Sequence, residues 1–126
     1  MKRSDILQPL SREHHTALAL AKSCVRAAHS GDEVQVSLAC QRAIRAFASE
    51  LEPLFKIEEV SLLPLLRNEE SHLLAKSTIA DHQQLRVLLN ALRLNEACAL
   101  DNFGKCLAAH VRFEERELFP VLECLL

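Results

Sequence analysis

His110 and Glu114 stand four residues apart in the stretch His110-Val111-Arg112-Phe113-Glu114-Glu115-Arg116-Glu117-Leu118-Phe119-Pro120. On a helix this spacing puts both side chains on one face, one turn apart, so that both reach a common point. Imidazole ligates zinc, copper, iron or nickel, and a carboxylate can bridge two ions, so the pair suits a di-metal site inside a helical bundle. Two donors do not hold an ion by themselves. The chemistry depends on what the rest of the chain contributes.

A second acidic pair answers the first. Glu58-Glu59 followed by Pro64 repeats Glu114-Glu115 followed by Pro120 at the same spacing, and the position that corresponds to His110 is Leu54. Glu58 continues the Leu51 and Leu54 stripe inward, which marks it as more than a surface acid. Near the start of the chain, Leu7, Leu10, His14, Ala17, Ala21, Cys24 and Ala28 recur at steps of three and four. His14 interrupts this apolar stripe. His15 falls beside it with Leu18 and is the alternative donor if the helix is rotated. His82 likewise replaces a hydrophobe among Leu74, Ile79, Leu85, Leu89 and Leu92. His14, Glu58 and His82 are thus the polar residues on inward stripes that could join His110 and Glu114. His72 lies ten residues before His82, about 15 Å along a helix, and reads as a terminal surface residue. His29 suits the negative end of the first helix dipole.

These residues need helices to carry them. The chain is 49% hydrophobic and 25% charged with only two glycines, a composition rich in Leu, Ala, Glu and Arg that favours helix over strand. Pro9 can open a first helix and Gly31 can close it, giving roughly residues 9–29. A long second helix runs from Asp32 or Glu33 to Leu66 along Val34, Leu38, Ile44, Phe47, Leu51, Leu54, Phe55, Leu62 and Leu65. Pro53 should kink it, and Pro64 should loosen its last turn. Ser71 is the expected N-cap of a third helix over about 72–93. The fourth begins near Asn95 or Glu96 and runs to about Leu122, with Cys98, Phe103, Leu107 and Val121 on its buried side and Gly104 where a neighbour approaches closely. Four amphipathic helices joined by short polar turns predict an all-α, antiparallel up-down-up-down four-helix bundle. With 126 residues, one domain spanning 1–126 is expected. In that topology all four helices can contribute to a single layer.

Several classes of function are disfavoured. A formal charge of −2 gives no basic field for nucleic acid or an anionic membrane. No apolar run approaches the roughly 20 residues that span a bilayer, and Met1-Lys2-Arg3-Ser4-Asp5 lacks the apolar core of a signal peptide. A cytoplasmic location is expected. Cys24, Cys40, Cys98, Cys106 and Cys124 are odd in number and form no CxxC, which fits a reducing compartment and buried free thiols, with Cys124 as the exception. No nucleophile with a base, phosphate loop or nucleotide fingerprint is present. An organic substrate is not indicated.

The chain resembles the hemerythrin-like, or HHE cation-binding, domains over almost its whole length. The carriers are Leu10-Ser11-Arg12-Glu13-His14-His15, the stretch from Glu50 to Glu59 with Pro64, Asp81-His82, and the segment from His110 to Pro120. The resemblance implies two non-haem irons held between four helices, with His14, His82 and His110 as terminal ligands and Glu58 and Glu114 as bridges. Glu115 is the alternative to Glu114. It also implies a small ligand such as dioxygen or nitric oxide, or a role in iron handling. Two positions depart from the pattern: Leu54 replaces the usual second-helix histidine, and Thr78 stands where oxygen-carrying hemerythrins have a second histidine in the third helix. Glu50, about 12 Å from Glu58 along the axis, does not fill the gap. A mononuclear iron, zinc or manganese site therefore stays open beside the di-iron one. A metal-free interaction bundle and a peroxide or nitric oxide reductase are the other readings.

Overall fold

The computed structural model describes residues 3–126; Met1 and Lys2, the first two residues of the stretch read for a leader, lie outside them. Four helical rods follow one another. The first, α1, is Gln8–Ala28, and the third, α3, is Glu69–Leu92. The second, α2, spans 33–65 as Glu33–Ala46, Phe47–Leu51, Glu52–Ile57, Glu58–Leu62 and Leu63–Leu65. The fourth, α4, spans 97–125 as Ala97–Phe113, Glu114–Leu118 and Phe119–Leu125. No strand occurs among the described residues. Each rod runs against its neighbours: His14 meets Glu114 whereas His29 meets Asp101, and Glu52 meets Arg86 whereas Glu59 meets His82. The fold is the expected all-α four-helix bundle.

Local chemistry sets the ends. Pro9 sits in the first turn of α1, where its missing N–H costs nothing, and Gly31 takes the positive φ of 70° that turns the chain toward α2. Asp32 caps α2 by accepting from Val34 N at 2.9 Å. The α3 cap differs from the expected one. Asn68, not Ser71, accepts from an orphan donor, the Ser71 N–H at 2.7 Å, so the helix begins three residues earlier than predicted and Ser71 is buried within its first turn.

The apolar core is divided. One cluster holds Ala17, Ala21, Phe47, Leu51, Phe55, Leu85, Phe103 and Leu107 with their neighbours. The other, at the end where the chain begins and finishes, holds Leu7, Leu10, Leu62, Leu63, Ala75, Leu118, Phe119 and Leu122. Every rod crosses from one cluster to the other at a polar residue: His14 on α1, Glu58 on α2, His82 on α3, and His110 with Glu114 on α4. The division is therefore a single buried polar layer. Leu54 packs on both clusters and so lies at its level.

Some expected core positions face water. Val34, Leu38 and Ile79 are 67%, 56% and 38% exposed. The first part of α2 instead buries a narrow face of Val36, Ala39, Cys40 and Ala43, whose small side chains let the rods pack closely. Cys98 is exposed as well, because α4 turns Ala99, Leu100 and Phe103 inward. Cys24 and Cys40 are buried, Cys106 is half-buried, and Cys124 is exposed. Gly104 supplies the close approach expected of it, since a Cβ there would lie 2.7 Å from the Ala21 carbonyl oxygen and 2.8 Å from Val25 Cγ2.

Candidate metal centre

Three prolines shape the backbone that carries the acids. Proline has no N–H to give the carbonyl four residues back, and its ring crowds that carbonyl, so the turn before it must open. Ahead of Pro53, Pro64 and Pro120 the chain widens into a π turn, closed by Glu52 N–H to Phe47 O, Leu63 N–H to Glu58 O and Phe119 N–H to Glu114 O. Glu58 and Glu114 each begin one of these turns, a place where widened helix often accompanies function. The matching acid and proline spacing in the sequence thus has a matching backbone. The kink and loosening expected at Pro53 and Pro64 take this form, and Pro120 had given no such expectation.

The polar layer is shielded from water: His14 is 5% exposed, Glu58 and Glu114 are 1%, His82 is 0% and His110 is 2%. One donor atom each from Glu58, His82, His110 and Glu114 lies within 4.8 Å of all the others. His82 Nε2 approaches Glu58 Oε1 at 3.0 Å, and His110 Nε2 approaches Glu114 Oε2 at 3.4 Å. Neither contact is aligned as a hydrogen bond. Those four atoms are buried with no hydrogen-bond partner. An orphaned buried polar atom costs about 1–3 kcal/mol, so four facing one another are accounted for by an ion in their midst. Donors about 2.1 Å from an ion stand at most about 4.2 Å apart, so the cluster needs a contraction of a few tenths of an ångström to grip one. The residues fit a metal ion.

His14 adds to this group from α1, its Nε2 2.9 Å from Glu114 Oε1. His15 is exposed, as are Glu50 and His72, and none of them reaches the layer. Glu114 is the inward acid of its pair. Glu115 sits behind the layer and takes His14 Nδ1 at 2.5 Å and the Ser11 hydroxyl at 2.8 Å. His29 pairs with Asp101 at the far end of α1.

A family model, the Hemerythrin HHE cation binding domain, matches residues 5–122. The chain belongs to that family. No match is found among curated proteins or among solved structures.

Every histidine of this hemerythrin layer is held from behind by a carboxylate; Glu115, the alternative bridge, takes this place instead, and Glu59 and Asp81 carry no expectation from the sequence. His14 Nδ1 gives its proton to Glu115, His82 Nδ1 to Glu59 at 2.6 Å, and His110 Nδ1 to Asp81 at 2.9 Å. A carboxylate only accepts, so each ring carries a proton on Nδ1 and turns Nε2 toward the layer, the arrangement that orients metal-ligating imidazoles. The available signal was adjacency. Glu59 and Glu115 follow the inward acids, and Asp81 precedes His82 but serves His110 on the next rod.

Burial and mutual proximity redistribute the protons. Burial, with Glu114 and Glu59 nearby, pushes the Glu58 carboxyl well above the usual carboxylate range. Burial would raise Glu114 too, but the His110 imidazole beside it and the hydrogen bond from His14 hold it below that range. Burial opposes the charged form of His110, yet Asp81 and Glu114 outweigh it and push the imidazole up to about 9. His14 is raised in the same way by Glu114 and Glu115. His82 moves down, because burial prevails over Glu59 and His110 adds a like charge.

The departures at Leu54 and Thr78 have different consequences. Leu54 lies one turn before Glu58 and brings only apolar surface to the layer. Thr78 is fully buried one turn before His82, and its hydroxyl is spent on the Leu74 carbonyl at 2.8 Å. The four-donor group keeps two imidazoles and two carboxylates without either of them. A second ion beside His14 would find that one imidazole and only shared acids.

Proposed function

We propose that this hemerythrin-family chain binds one non-haem iron ion tightly through His82, His110, Glu58 and Glu114, with His14 alongside, and uses it to bind or sense dioxygen or nitric oxide. The observation that carries the reading is the set of four partnerless buried atoms, one from each of those residues. Two imidazoles and two carboxylates form a mixed nitrogen and oxygen set suited to iron, with zinc and manganese as the competitors that elemental analysis separates. Bound iron with an open position supplies reversible coordination of a small ligand and one-electron chemistry.

The chain's own residues do the rest. Glu58 and Glu114 supply the negative charge, Glu59, Asp81 and Glu115 fix the imidazoles, and Phe55, stacked on His82 at 3.8 Å, keeps water from its face. A surface cavity of about 490 Å³ has His110 in its lining, with Ser77, Asp81, Gln84, Cys106 and Phe113. With the layer itself buried, His110 in that lining favours a small ligand over a bulky one. No helix among the described residues is long and apolar enough to cross a membrane.

Leu54 favours a second reading, a metal-free interaction bundle. That reading leaves four buried polar atoms uncompensated, at a cost of about 1–3 kcal/mol each. Anaerobic loading with ferrous iron, followed by visible spectra in air and under nitric oxide, separates the two. Ligand-dependent absorption bands that disappear in His110→Ala support the iron site. Spectra identical to those of the metal-free protein would leave the interaction bundle.

A further inference from the structure

The three outer carboxylates are not held alike. Arg86 grips Glu52 through both oxygens, with Nε at 3.0 Å and Nη2 at 2.6 Å, and places the same Nη2 3.1 Å from Glu59. Glu59 holds His82, His82 stacks on Phe55, and the Arg86 guanidinium lies 5.8 Å from the centre of that same phenyl ring. The four side chains close a circuit of arginine, carboxylate, imidazole and phenyl.

An equivalent circuit stands on another side of the bundle. Arg3 Nη2 donates to Glu115 Oε1 at 3.2 Å, Glu115 holds His14, His14 stacks on Phe119 at 5.2 Å, and Arg3 lies 5.5 Å from the centre of the Phe119 ring. Arg3 also donates to the Glu115 carbonyl at 2.7 Å. That carbonyl has no helical donor, because Phe119 N–H is committed to Glu114 O and the next residue is Pro120. The π turn thus creates the acceptor that seats Arg3. The two circuits are built from unrelated sequence positions: Arg86 is four residues after its histidine, and Arg3 is eleven before. Among the described residues no arginine or lysine pairs with Asp81, whose side chain is 41% exposed and which holds His110 Nδ1.

We propose that Arg86 and Arg3 are positioning residues of the metal centre, locking the carboxylates that orient His82 and His14, while His110 is left the histidine with a movable support. Guanidinium suits this task because one planar group pairs with a carboxylate and lies over an aromatic face, which an ammonium does not reproduce. Neither arginine reaches the layer itself. Each acts through one carboxylate on one ring.

The affinity part of the test rests on the metal-binding reading, whereas the ring part does not. In metal-free protein labelled with ¹⁵N histidine, wild-type His82 should show its proton on Nδ1. Arg86→Gln should shift the His82 ring signals toward a mixture of tautomers and leave those of His110 in place; Arg3→Gln should move the ring signals of His14 and leave those of His82 in place. Zinc(II), used as a spectroscopically silent probe, should bind Arg86→Gln about 10–100-fold more weakly than wild type. Arg86→Lys should recover only part of both effects. A lower melting temperature with unmoved His82 signals would reduce Arg86 to a structural residue and overturn the proposal. If wild-type protein binds no ion, the functional reading falls, and the ring signals still decide the clamp.

Discussion

Replacing Glu58 with methionine should abolish metal binding and, in the metal-free protein, raise stability. The carboxyl is 1% exposed, its Oε1 has no hydrogen-bond partner, and His82 Nε2, 3.0 Å from it, has none either. Removing the acid therefore creates no new orphan. It deletes one, and its neighbour Glu114 loses a competing carboxylate. Relief of one unpaired polar group is worth about 1–3 kcal/mol, and an unbranched thioether of similar length fills the space without a cavity. Replacing buried ionisable groups by apolar ones elsewhere gains about 1–4 kcal/mol, in the same range. For a chain of this size that corresponds to a rise of roughly 3–12 °C in melting temperature. Urea unfolding of chelator-treated Glu58→Met and wild type, each repeated with one equivalent of ferrous iron, gives both halves of the comparison. Wild type should gain stability on iron addition and the variant should not. A variant less stable than wild type without metal would mean that the acid is satisfied in a way these contacts do not include, and the inference from partnerless atoms would be wrong.

Leu54→His should add an imidazole at the level of the polar layer and raise iron content from about one to about two ions per chain by elemental analysis; an unchanged content would place Leu54 off the site. The metal-free protein should lose stability as pH rises from about 6.5 toward 9. His110 is raised from 6.5 to about 9, so its contribution, up to about 3 kcal/mol, is fully present below the lower value and gone above the upper, which His110→Gln should abolish in unfolding curves against pH. Gly104→Ala should destabilise the fold by about 1–3 kcal/mol in denaturant titrations. Its Cβ meets a backbone oxygen at 2.7 Å that cannot swing aside, and this outweighs the helix propensity gained, while iron content stays at the wild-type level.

Much of this fold is legible in the residues because helix period, short polar turns and end signals agree with one another. The same periodicity singled out His14, Glu58 and His82 on inward stripes, the four-residue spacing singled out His110 with Glu114, and the structure brings all five into one buried layer. Where apolar stripes are wide, periodicity loses its grip. Val34, Leu38 and Ile79 were read inward, but a face of alanine and cysteine packs instead, and rotation of a rod by part of a turn suffices to expose them. Tertiary hydrogen bonds were the other blind spot. Asp81 beside His82 gives no hint that it crosses to His110, nor does Arg86 that it reaches two acids on α2. The π turns stood closer to the surface of the sequence, because Pro53, Pro64 and Pro120 each follow one at the same offset.

The most direct test of the central claim is the iron content of the protein, made without a polyhistidine tag, reconstituted anaerobically and freed of loosely held ion. About one ion per wild-type chain and almost none in His110→Ala is the expected result. Wild type that retains no iron, zinc or manganese, or a variant that retains as much as wild type, would contradict an ion held by Glu58, His82, His110 and Glu114.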